Sequence, residues 1–217
     1  MAGIKHAAAA ATATAIAVAL LASCGPSPKV FAQRMNSGSV QERRSAARDL
    51  RGQPRSSKLV PYILQACRDS DADVRMYGFY ALGKVDPRDG DVISAILDGV
   101  ADTVVDVRRA LASSLGTLSP FPNTCIPHMV KMLTDPDDKV RKLIFTALSD
   151  LQGAGVGSLM RNIDVKDEEL RLAVIGVLAQ IGPDAKAALP RLKQIAQEDE
   201  DLRFREAAGR AVKYIER

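Results

Sequence analysis

Few residues of this chain are of the kinds that do chemistry. Two histidines, His6 and His128, and three cysteines, Cys24, Cys67 and Cys125, are spread over 217 residues. Cys125-Ile126-Pro127-His128 sets a thiol near an imidazole at a helix start, where a lowered thiol pKa would make a nucleophile. The structural reading, a buried thiol beside a helix-opening proline, fits the surrounding sequence better. His6 lies in a segment read below as removed on export, which leaves one imidazole, too few for a zinc or iron centre built from several. Gly153-Ala154-Gly155-Val156-Gly157 has the look of a phosphate loop, yet it lacks the Gly-Lys-Ser/Thr ending and follows no strand. It reads as a turn that shortens its repeat. Asp86-Pro87-Arg88-Asp89-Gly90-Asp91 hints at a calcium loop, but Arg88 and Gly90 occupy ligand positions and no bidentate Glu closes it. No catalytic residue, metal or cofactor is therefore nominated.

One cysteine stands in a different setting. Met1-Ala2-Gly3-Ile4-Lys5-His6 is a short basic start, an apolar run of 15 residues follows from Ala7 to Leu21, and Leu21-Ala22-Ser23-Cys24 ends it. The run is shorter than the roughly 20 residues a helix needs to cross a bilayer, which disfavours a permanent transmembrane anchor. The segment resembles a bacterial secretory signal ending in a lipobox. That resemblance implies removal of residues 1–23 and lipidation of Cys24, with two or three acyl chains for stable anchoring. Gly25 in place of Asp would send the protein to the outer membrane, facing the periplasm, if its host follows the enteric sorting rule. An ordinary cleaved signal with Cys24 as bystander is the alternative. Residues 24–28 then form a short tether in which Pro26 and Pro28 block helix propagation.

The elements that must position anything functional come from a repeat. Asp71-Ala72-Asp73-Val74-Arg75-Met76-Tyr77-Gly78-Phe79-Tyr80-Ala81-Leu82-Gly83 returns as Asp106-Val107-Arg108-Arg109-Ala110-Leu111 and as Asp138-Lys139-Val140-Arg141-Lys142-Leu143. Weaker copies surround Arg43, Arg171 and Arg205. From Arg43 through Arg75, Arg108, Arg141, Arg171 and Arg205 the steps are 32, 33, 33, 30 and 34 residues. Such a period means stacked helical hairpins, because one unit cannot bury its apolar face alone. Val74, Gly78, Ala81 and Leu82 share one helical stripe, small enough to let helices approach closely. An Asp before each motif helix suits amide capping and the helix dipole. Cys67 and Cys125 fall two repeats apart, on the order of 20 Å, beyond the ~7 Å Cα limit of a disulfide, so both are expected to be free.

Over residues 29–217 these motifs resemble HEAT-like repeats of the kind also found in phycobilisome bilin lyases. The resemblance implies an all-α, right-handed α-solenoid of about six hairpins. It also implies that Arg75, Arg108, Arg141, Arg171 and Arg205 form a structural ladder with acidic groups of the turns. It is poor evidence for function, since such solenoids serve many tasks. Deoxyhypusine hydroxylase, of similar construction, uses His-Glu pairs, and no such dipeptide occurs here. In HEAT-like solenoids the second helices line the concave side. Positions one, five and eight past the ladder Arg form the outward column of those helices, and Arg44, Arg48, Met76, Tyr80, Arg109 and Lys142 are its candidate partner-binding residues.

Lys and Arg number 30 against 26 Asp and Glu, and loss of residues 1–23, with Lys5 their single charge, lowers the net charge from +4 to +3. That is too mild for a nucleic-acid footprint. A basic column instead suits a protein partner, acidic or extended, and Arg44, Arg48 and Arg51 near the tether would suit anionic head groups. The expected function is a lipid-anchored scaffold of the bacterial cell envelope and not an enzyme. A bilin-lyase-like accessory enzyme is the alternative, and a HEAT-like DNA glycosylase conflicts with export.

Overall fold

The computed structural model describes residues 26–86, 89–118 and 123–217. The signal segment, Cys24 and Gly25 lie outside the described residues, as do Pro87 and Arg88 of the acidic turn. Among the described residues the regular structure is helical throughout, and twelve α-helices pair into six hairpins. Hairpin one is α1 (Pro28–Met35) with α2 (Val40–Gly52), and hairpin two is α3 (Val60–Cys67) with α4 (Ala72–Leu82). Hairpin three is α5 (Gly90–Val100) with α6 (Val105–Leu115), and hairpin four is α7 (Ile126–Lys131) with α8 (Asp138–Asp150). Hairpin five is α9 (Gly153–Met160) with α10 (Glu168–Ile181), and hairpin six is α11 (Leu189–Glu198) with α12 (Leu202–Ile215). Short 3-10 turns precede α3, α7 and α11 and follow α7.

The chain punctuates these helices with two recurring devices. Pro28, Pro61, Pro127 and Pro190 sit at the first or second position of α1, α3, α7 and α11, where the missing N–H is no loss. The second helices begin on an Asp or Ser oxygen. Asp71 accepts from the Val74 amide at 3.2 Å, Asp137 from Val140 at 3.0 Å and Asp167 from Leu170 at 3.0 Å. Each such cap is worth about 1 kcal/mol. Hairpin three departs from this, because its cap position holds Val104, which offers no side-chain acceptor.

Each second helix packs on its own first helix and on the second helices before and after it, and the first helices stack in a row whose last step is made by the 3-10 segment Gly182–Ala188 against α9. The core between the two rows is a continuous band of aliphatic side chains with Ala46, Ala47, Ala81, Ala110 and Ala208 at close approaches. Gly78 shows why small residues recur. A Cβ there would stand 2.7 Å from the Cys67 amide nitrogen and 2.8 Å from the Ala66 carbonyl carbon, so α3 and α4 touch backbone to backbone.

One segment departs from the expectation drawn from sequence. Residues 153–157 are the opening of α9 and not a turn. The reversal is made just before them, where the chain bends by 119° between α8 and α9. Gln152 takes φ 50, a left-handed conformation costly for a side chain with a Cβ. The glycines are absorbed by packing, since Gly155 lies against Leu151 and the Leu148 carbonyl. Cys67 and Cys125 are both buried and unpaired.

Candidate functional site: the second-helix face

Two rows of ion pairs run along the turns that open the second helices. In the first row an Arg of one repeat grips an Asp of the next. Arg43 reaches Asp69 at 2.7 and 3.2 Å, Arg75 reaches Asp102 at 2.7 and 3.2 Å, and Arg108 reaches Asp135 at 2.7 and 3.1 Å. Arg171 reaches Asp199 at 2.6 Å. The other guanidinium nitrogen donates back to its own turn, as from Arg75 to the Asp69 and Ser70 carbonyls at 3.0 and 3.1 Å. Each ladder Asp also accepts the amide of the residue two places on, Asp69 from the Asp71 amide and Asp135 from the Asp137 amide, both at 2.9 Å. One residue thus fastens two turns and is held by both charge and geometry.

The expected ladder is therefore present, with two corrections. Arg205, in the last hairpin, binds only the Asp199 and Glu200 carbonyls among the described residues, at 2.6 and 3.0 Å. Arg141 binds the Asp135 and Pro136 carbonyls at 2.8 and 3.1 Å and Asp138 of its own helix at 3.3 Å. It meets no acid from the next repeat among the described residues.

The second row was not anticipated, and it takes up residues read as free binding groups. Arg44 forks onto Asp71 at 2.8 and 2.6 Å and touches Asp73 at 3.1 Å. Arg109 forks onto Asp137 at 3.0 and 2.5 Å and touches Asp106 at 2.9 Å. The hydrogen bond from Arg44 holds the Asp71 carboxyl below its ordinary pKa, and that from Arg109 takes Asp137 down to about 2. Burial works to raise Asp102, yet the Arg75 fork and the Val104 amide outweigh it and the carboxyl ends lowered. The spacing of 27 and 28 residues between Arg44 and Asp71 and between Arg109 and Asp137 matches the first row. That coincidence was available in the sequence as the missed signal.

The rest of the outward column falls into place around these rows. Met76 and Tyr80 are half-buried and pack on the core edge. Lys142 is exposed and pairs with Asp138 at 2.6 Å within its own helix. Arg48 is exposed, with its guanidinium carbon 5.3 Å from the Tyr77 ring centre, and Arg51 lies 4.6 Å from that of Tyr80. Stacking of this kind contributes about 0.5–1 kcal/mol at open sites and leaves the outer N–H groups available. Neither Arg48 nor Arg51 has a carboxylate partner among the described residues, which makes this tyrosine-backed pair an open cationic patch on the first two hairpins.

Two of the hollows among the described residues border these rows and loops. One of about 570 Å³ is bounded by Arg55, Val60, Leu64, Lys84, Asp86 and Asp89 at the loop edge of hairpins two and three. The other, of about 410 Å³, lies on the second-helix face and is lined by Leu133, Arg141, Lys142, Phe145, Thr146, Glu169 and Ala173. Burial pushes the Cys67 thiol far up and raises Cys125 as well, so neither is a thiolate nucleophile at neutral pH. No group of three metal-ligating side chains occurs among the described residues.

Among solved structures, the complex of CpcE and CpcF of phycocyanin lyase from Nostoc sp. PCC7120 is similar at 17% identity, over 84% of this chain and 74% of that one, with a TM-score of 0.52. An engineered protein is similar at 21% identity over 87% and 96% of the two chains, TM-score 0.50. A designed armadillo repeat protein in complex with the peptide (KR)4 is similar at 17% identity over 87% and 98%, TM-score 0.50. At these identities the likeness is one of fold. A comparison with curated proteins returns no significant match. The family described as HEAT repeats matches residues 28–116 and 126–213, nearly the whole helical array, and the chain belongs to that family.

Proposed function

We propose that this HEAT repeat protein is a binding scaffold that takes an extended, acidic segment of a protein partner along its second-helix face. The observation that supports it most directly is the pair Arg48 and Arg51, exposed, without carboxylate partners among the described residues and placed over the Tyr77 and Tyr80 rings. Preorganised guanidinium groups over aromatic rings lose little entropy when they grip a carboxylate. The peptide-bound armadillo design of similar fold supports a peptide as the type of ligand. Its own peptide is basic, so the sign of charge proposed here comes from this chain's residues.

The scaffold is further proposed to be a lipoprotein. Cys24, after removal of residues 1–23, would moor it to the envelope membrane, on the outer membrane's periplasmic side if the enteric sorting rule applies. The test is crosslinking in native envelopes with the wild type and with Arg48→Glu/Arg51→Glu. The reading expects the wild type to capture a partner that the double variant loses at unchanged melting temperature. Equal capture by both would refute the proposed face, and an intact mass showing no acyl chains on the mature chain would refute the mooring. A second reading, an accessory enzyme, draws on the likeness to the phycocyanin lyase complex. Bilin transfer by the purified protein would favour it.

A further inference from the structure

Among the described residues, ion pairs tie the six hairpins at every junction but one. Arg43 and Arg44 cross from hairpin one to two, Arg68 and Arg75 from two to three, and Arg108 and Arg109 from three to four. Arg171 reaches forward from hairpin five to Asp199 of six, and Arg191 and Arg203 of six reach back to Asp164 and Glu168 of five. Among the described residues no ion pair crosses from hairpin four to five.

The reason is local. The ladder acid stands two places before each second helix's cap, at Asp69, Asp102, Asp135 and Asp199, and in hairpin five that place holds Val165. The Nε of Arg141, which in Arg43, Arg75 and Arg108 donates to the next Asp at 2.7 Å, finds no acceptor among the described residues. The Arg141 side chain is 32% exposed, against 13% for Arg108. Lys142, at the second-row position, turns back to Asp138.

At this untied junction lies the 410 Å³ hollow, with Leu133, Phe145 and Ala173 as its apolar floor. Phe145 is the third in a series at 33-residue steps with Phe79 and Ala112. Those two are sealed under the following repeat at 0% and 1% exposure, whereas Phe145 is only half-buried. The hollow therefore combines a guanidinium lacking its usual ladder carboxylate with a partly exposed aromatic ring.

We propose that this hollow binds one acidic side chain of the partner peptide, its carboxylate taking the place of the absent ladder Asp on Arg141, with a neighbouring aliphatic side chain against Phe145. The inference rests on the scaffold reading and adds to it a specificity pocket. Glu169 in the lining, and Asp138 already paired to Arg141 and Lys142 beside it, disfavour a run of acids, so the site selects a single carboxylate flanked by apolar residues.

The test is a chemical-shift titration of the full mature chain with a synthetic peptide of core Leu-Glu-Leu in a Gly/Ser frame, beside its Leu-Gln-Leu counterpart. The Glu peptide is expected to shift the amides of Phe145, Thr146 and Ala173. The Gln peptide should bind about fivefold more weakly, as for one partly exposed charge-assisted pair. Val165→Asp, which returns the missing acid to the ladder, should weaken the Glu peptide by a similar factor and raise the melting temperature. If that variant folds poorly, Arg141→Gln gives the same reading by removing the guanidinium. Equal affinity for the two peptides, shifts confined to the Arg48 and Tyr80 region, no shifts at all, or concentration-dependent self-association through Phe145 would each overturn the pocket. Shifts confined to Arg48 and Tyr80 would do so while leaving the scaffold reading intact, and that reading falls separately if the envelope capture is indifferent to Arg48 and Arg51.

Discussion

Arg108 and Arg141 occupy the same place in consecutive repeats and differ in what the following turn offers them. Arg108→Ala would strand Asp135, whose side chain is 7% exposed, and is expected to cost about 3 kcal/mol, as when one member of a buried pair is removed. Arg141→Ala leaves no acid of a neighbouring repeat unpaired and should cost about 1 kcal/mol or less. Denaturant midpoints of the two variants check this, and equal losses would mean that the forks contribute nothing beyond their contacts to the carbonyls. The period alone located the repeated arginines in the sequence, and the HEAT-like resemblance implied their pairing with acids of the turns. The roles of Arg44 and Arg109 were not, because a column of like residues on one helix face looks like an open surface until the carboxylates 27 and 28 residues on are counted with it. Val165 was legible in principle, once the copies are aligned on their helix caps.

Glycine separates the helices that touch from those that do not. Gly78 holds α4 against the backbone of α3, with a Cβ 2.7 Å from a main-chain nitrogen that cannot yield cheaply, so Gly78→Ala should destabilise by about 1–3 kcal/mol. Gly209 in α12 meets open space, and Gly209→Ala should stabilise by about 0.4–1 kcal/mol through helix propensity. Thermal melts of the two variants should move in opposite directions; a shift of the same sign would contradict the packing of α3 on α4. Five glycine and small apolar residues in a row, 153–157, read locally as a loop, yet they form the start of α9. Propensity lost there to a tertiary demand: the hairpin needs a helix at that place to cover Leu148 and Leu151, and small residues let it come close.

Because each repeat meets only its neighbours, stability is close to a sum over units and junctions, and the weakest junction sets where the array opens. The junction between hairpins four and five has apolar packing but no crossing ion pair among the described residues. Hydrogen exchange should therefore show α9 to α12 opening together at a lower free energy than the amides of α4 and α6, with Val165→Asp narrowing the gap. One uniform opening free energy would count against it. The sixfold stacking was plain from period and composition. The unequal strength of its junctions was not, since it hangs on single residues in turns.

Gln152 sits where the chain reverses into the fifth hairpin, its backbone twisted into a region that side chains avoid. With no ion pair crossing beside it among the described residues, tension applied to the two ends of the array would pass there through the main chain, the turn hydrogen bonds such as that from the Ala154 amide to the Leu151 carbonyl, and apolar contacts. Under load the array is therefore expected to act as a block of four units joined to a block of two and to yield first at that seam, which force spectroscopy would register as two separate unfolding events.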